Sequence, residues 1–136
     1  MRRPARALAT VAAAIALAGC LDVQSPDLFL LTRTGEGGKL TLLVNYGGTI
    51  SCDGRRAKTI SDAMLIQARD LADDLVSDAS RNLRIARVPG TVEYYTIRMQ
   101  QGTISFPDRA AATHPTLAAA ELFALHAEQV ACAPPS

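Results

Sequence analysis

Apolar residues in 39–46 alternate with polar ones. Leu40, Leu42, Val44 and Tyr46 fall on one side of an extended chain, and Lys39, Thr41 and Asn45 on the other. A period of two marks a half-buried strand. Residues 28–34 read as the strand before it, joined through Gly35, Glu36, Gly37 and Gly38. Gly47-Gly48 then interrupts, either as a tight hairpin turn or as a bulge in one long strand. Residues 49–52 continue extended to the turn signal Asp53-Gly54.

From residue 60 the period changes. Ile60, Met64, Ala68, Leu71 and Leu75 recur at helical spacing, and Leu65, Ala72 and Val76 widen the stripe. Asp62, Arg69, Asp70, Asp73 and Asp74 fall opposite. Thr59 or Ser61 suits the cap, and the helix is expected to run about 16–18 residues, ending near Asp78. An arginine-rich connector over 78–90 closes on Pro89-Gly90. Residues 91–100 then read as a strand, Gln101-Gly102 as a turn, and 103–106 as the returning strand. Tyr95, Ile97 and Met99 should share a core face with Ile104 and Phe106. Pro115 or Thr116 opens a last helix that reaches about Ala131. Its expected apolar arc is Ala119, Leu122, Phe123, His126, Ala127 and Val130, with Glu121 and Glu128 opposite.

The order β-β-(β)-α-β-β-α predicts an α+β fold. Short turns make the sheet antiparallel, with four to five strands and two helices packed on one face. Residues 28–136 form a single domain in this reading.

The N-terminus follows different rules. Arg2, Arg3 and Arg6 precede a stretch from Ala7 to Ala18 broken only by Thr10. Twelve helical residues span about 18 Å, too short for a bilayer core of roughly 30 Å, so the segment reads as a signal h-region. Leu17-Ala18-Gly19-Cys20 resembles the lipobox of bacterial lipoproteins. The resemblance implies a signal peptide over 1–19, a diacylglyceryl group on Cys20 as lipidation site, and a tether over 20–27. It also implies a membrane partner reached through the lipid anchor. The protein would be exported to the outer face of the plasma membrane or to an outer membrane of the cell envelope. Leu21, in place of an aspartate, permits the outer membrane and leaves both locations open.

Processing changes the balance of charge. Residues 1–19 hold three of the 14 basic residues and none of the 13 acidic ones, so net charge moves from +1 to −2. No concentrated basic surface suggests nucleic acid as a partner. With Cys20 lipidated, Cys52 and Cys132 are left in an oxidising compartment and are expected to form a disulfide; two separate buried thiols are the alternative.

Candidate chemistry is sparse. His126 lies within the expected apolar arc with no second ligand at helical spacing, so it reads as a structural or rim histidine. Asp70, Asp73, Asp74 and Asp78 read as a solvated helix face. No phosphate, dinucleotide, zinc-protease or nucleophile-elbow motif occurs. No catalytic, metal or cofactor-binding residue is expected. Arg81, Arg84 and Arg87 form the candidate binding loop, suited to anionic groups near a membrane; solvated linker charge is the alternative reading. Val92, Tyr94, Thr96 and Arg98 would share an amphipathic patch if one sheet face is uncovered. The expectation is a non-catalytic binding or envelope module with a protein partner.

The order of elements also resembles the subtilisin-inhibitor-like proteins. Thr49-Ile50-Ser51-Cys52 is similar to the Thr-Leu-Thr-Cys before their first helix, and Cys132 falls late in the last helix as theirs does. The resemblance implies a protease-binding loop over 82–89, with Arg84 or Arg87 as specificity residues. The first helix here carries no cysteine, and neither does the loop.

Overall fold

The computed structural model describes residue 23 and residues 27–133. Cys20 and the whole lipobox lie outside these residues. Strand β1 (Asp27–Gly35) turns through Glu36-Gly37 into β2 (Gly38–Asn45). A three-residue loop, 46–48, leads to β3 (Thr49–Cys52), which pairs with β2 as a hairpin, so the double glycine is a turn. Gly48 closes it at φ +98°, with its N–H bonded to the Asn45 carbonyl at 3.1 Å. Strand β4 (Lys58–Thr59) follows, then α1 (Asp62–Ser80), β5 (Glu93–Met99) and β6 (Gly102–Pro107). A 3₁₀ turn (Asp108–Ala112) precedes α2 (Pro115–Ala131).

The strands form one antiparallel sheet in the order β4-β3-β2-β1-β5-β6. The α+β architecture is as expected, with six strands in place of four or five. The addition, β4, is two residues long, too short to leave a periodic signal. Register aligns Phe29 with Val44, Leu31 with Leu42 and Ile97, and Ile97 with Ile104. These side chains share one face, and both helices pack on it. Phe123 of α2 meets Phe29 edge-on at 5.7 Å, and Tyr95 stacks on Phe106 at 5.2 Å.

Helix α1 follows its pattern. Met64, Ala68, Leu71, Ala72 and Leu75 are buried, and Ser61 is the cap, accepting the Met64 N–H at 3.2 Å. Thr59 is taken up by β4. The helix runs to Ser80, past the expected end near Asp78, because Ala79 still has core to bury against. Gly102 lies against its last turn, where a Cβ would collide with the Ala79 carbonyl.

Expected core positions move out in two places. Tyr46 belongs to the 46–48 loop and is 54% exposed, its ring under the Arg69 guanidinium at 4.2 Å. Helix α2 is turned from its expected orientation. Its buried side is Leu117, Ala120, Phe123, Ala124, Ala127 and Ala131, whereas Leu122, His126 and Val130 are exposed. The rotation is about 100°, one residue step. The helix is apolar on most sides, so periodicity does not choose among its faces. Packing chose the alanines, whose small side chains let the axis approach the sheet and leave room for Phe123.

Candidate functional site

The connector from 81 to 92 is ordered by backbone pairing. Asn82 adopts φ +50° and its Oδ1 accepts the Thr103 N–H at 3.0 Å. Ile85 N–H bonds to the Ser105 carbonyl at 2.8 Å, and Ser105 N–H to the Leu83 carbonyl at 2.9 Å. Residues 83–85 thus extend β6 on its outer edge, with Arg84 bridged to Ser105. Alternation places Leu83 and Ile85 against the core and Arg84 on the opposite side. Further on, Thr91 N–H bonds to the Val88 carbonyl at 3.0 Å, and Arg109 Nε to the Gly90 carbonyl at 3.1 Å. Residues 86–90 stand exposed between these supports.

The three arginines do not form one cluster. Arg81 ends α1 and pairs with Asp78. Arg84 is exposed at the sheet edge. Arg87 lies over the Tyr94 ring at 4.4 Å, and the Tyr94 hydroxyl donates to the Ile85 carbonyl at 3.1 Å. Among the described residues, no helix covers the sheet face that carries Tyr94, Thr96 and Arg98. Thr41, Thr32, Thr96 and Ser105 cross that face in one row of four hydroxyls. The connector leans on only part of this patch, through Arg87 and the Ile85 carbonyl.

The disulfide is present: Cys52 and Cys132 are joined with Cα atoms 5.5 Å apart. It ties the end of β3 to the end of α2. The last turn of α2 holds no basic residue, but other elements bring charge to it. Arg55 Nη2 donates to the Cys132 carbonyl at 3.4 Å, and Lys58 Nζ to the Ala133 carbonyl at 2.8 Å. Cations there offset the negative end of the helix dipole.

One polar cluster was not anticipated. Arg33, on the core side of β1, makes a two-pronged contact with Glu128 of α2 at 2.8 and 3.1 Å. Its Nε lies 3.9 Å from Glu93 Oε2. The hydrogen bond to Glu128 raises the Arg33 pKa, so the pair stays ionised. Glu121, one heptad before Glu128, faces the same end. Burial and then the Asp108 carboxylate push its pKa up to about 7. Burial, then Glu121, pushes the Tyr95 phenol to about 12. Both glutamates had been placed opposite the apolar arc. Turning α2 brings them beside the sheet instead. The legible signal was two glutamates seven residues apart on an apolar helix, with a lone arginine in a strand otherwise rich in leucine.

A recess of about 370 Å³ opens where β1 begins and is lined by Asp27, Tyr46, Asp73, Met99 and Gln101, among others. Among the described residues, no group of three or more histidine, cysteine or acidic side chains could hold a metal ion, and no helix is long and apolar enough to cross a membrane. No family model, no curated protein and no solved structure matches the chain.

Proposed function

We propose that the protein is an exported, lipid-anchored, non-catalytic binding module of a bacterial envelope, held by Cys20 and presenting the domain to a protein partner. The carrying observation is the Cys52–Cys132 bridge. It accounts for two of three cysteines and leaves Cys20, within Leu17-Ala18-Gly19-Cys20, as the one outside it. Disulfides persist in oxidising, exported compartments. Two or more acyl chains at Cys20 would hold a domain that has only a short tether. The principal charged groups the fold gathers, Arg33, Glu93 and Glu128, are engaged with one another, which favours binding over catalysis.

The test is fractionation of cells expressing Cys20→Ser. The variant should move from the membrane to the soluble fraction and lose the lipid mass seen on the wild-type N-terminal peptide. Retention of Cys20→Ser in the membrane fraction would overturn the anchor.

A second reading has its own support. The exposed 86–90 segment is held on both flanks without a cysteine, by residues 83–85 on β6 and by the Arg109–Gly90 bond. Such a loop suits a subtilisin-inhibitor-like protease inhibitor using residues 82–89. Slow, tight inhibition of a serine protease that is lost in Arg84→Ala or Arg87→Ala would favour it; rapid cleavage within 82–89 would remove it.

A further inference from the structure

The face of α2 that looked like core, and is not, is the most informative unpartnered surface. Turning the helix buries its alanine side and leaves Ala119, Leu122, His126 and Val130 along the flank. Leu122 is 68% exposed. Beside this flank runs a groove of about 480 Å³ between α1 and α2. Its floor is Leu71 and Phe123, both buried. One wall is α2, with Ala119, Leu122 and His126; the other is α1, with Gln67, Asp70 and Asp74.

The two walls ask for different chemistry. The α2 wall offers apolar area that gains by leaving water. The α1 wall presents two exposed carboxylates at i and i+4, about 5–6 Å apart along the helix. Asp78, one turn further, is neutralised by Arg81. Among the described residues, Asp70 and Asp74 form no ion pair. An occupant must therefore carry an apolar ridge and a parallel cationic stripe. Anionic lipid headgroups are repelled by the aspartates. A second copy of this chain carries its exposed basic residues, among them Arg55, Arg56, Lys58, Arg84, Arg87 and Arg109, on loops, strands and the 3₁₀ turn, not as a stripe along an apolar helix.

We infer that the α1–α2 groove is a docking site for a basic amphipathic helix of another protein. The ridge of that helix lies on Leu71, Phe123 and Leu122, and its Lys or Arg residues, one turn apart, face Asp70 and Asp74. This is the helix-in-groove mode, with anchors at i, i+3, i+4 and i+7. The inference deepens the binding-module reading and rests on it. Anchoring and groove occupancy are read by separate measurements, so either can fail alone.

The test uses the full chain with Cys20→Ser, oxidised and free of detergent. The probe is a peptide of about 18 residues, leucine and lysine only, patterned as an amphipathic helix. Binding is followed by anisotropy, and its place by amide chemical shifts. The expected result is saturable one-to-one binding, with shifts centred on Asp70, Asp74, Ala119 and Leu122. Asp70→Asn with Asp74→Asn should weaken it roughly tenfold without changing the melting temperature, and added salt should weaken the wild type alone. Leu122→Asp should weaken it as well. Equal affinity for a scrambled peptide of the same composition would overturn the inference. So would wild-type affinity in the double asparagine variant, or groove shifts that depend on protein concentration alone, which would assign the groove to a second copy.

Discussion

Helix α1 alternates leucine with aspartate so sharply that only one orientation buries the first and wets the second. Helix α2 offers alanine, leucine and valine on most sides, and several orientations bury comparable apolar area. The two lie on the same sheet face and differ in what decides their rotation. For α1 the decision is local, in the side chains of the helix itself. For α2 it is made by other elements: the sheet that accepts its alanines, Arg33 that receives Glu128, and the bridge that fastens Cys132 to Cys52. A helix placed by its neighbours can keep apolar area uncovered, and α2 does so at Leu122.

The largest expected effect removes one of those neighbours. Replacing Cys52 and Cys132 by serine opens a loop spanning 80 residues and should cost up to about 4 kcal/mol in denaturant unfolding. Amide exchange should accelerate at the end of α2 more than in α1; equal acceleration would erase the contrast. Leu75→Ala, at the fully buried centre of α1, should cost about 3 kcal/mol. Ala124→Leu tests the close approach of α2. The alanine is fully buried, and three added carbons should cost about 2 kcal/mol through overpacking. Stabilisation by that leucine would show that the alanine side does not face the sheet.

Glu121 gives a smaller, pH-dependent effect. Its folded pKa of about 7 lies above the ordinary 4.5, so the folded protein binds the proton more tightly than the unfolded chain. Stability should therefore fall as pH rises from about 4.5 to 7 and level off above that. Glu121→Gln should flatten this slope in thermal melts recorded across the window. The smallest effect is Leu122→Ala, expected to change stability by less than about 0.5 kcal/mol because the side chain is already exposed. A loss of several times that would return Leu122 to the core.

The strands show how unevenly a fold is written in its chain. The alternation of Leu40, Leu42 and Val44 and the match of Tyr95, Ile97 and Met99 with Ile104 and Phe106 were legible, because period two has only two solutions and the other exposes Leu40, Leu42 and Val44 together. Lys58 and Thr59 were not, since two residues carry no period. Tyr46 was read as core because alternation continued one residue beyond the strand. The candidate site was less legible still. Arg81, Arg84 and Arg87 were visible as a group, but pairing of residues 83–85 with β6 sent them to three different places.

By itself the sequence determined the order of the longer elements, the β1–β2 and β5–β6 hairpins and the face of α1, since each follows from spacing along a few residues; the expectation that Cys52 pairs with Cys132 came instead from the lipobox resemblance, which sets Cys20 aside. Only the tertiary structure decided the rotation of α2, the Arg33–Glu128 pair and the acidic, apolar-floored groove. These depend on residues far apart in the chain: Arg33 and Glu128 are separated by 95 positions. On a helix apolar on most sides the hydrophobic effect is non-directional, so shape and charge on neighbouring elements set the orientation.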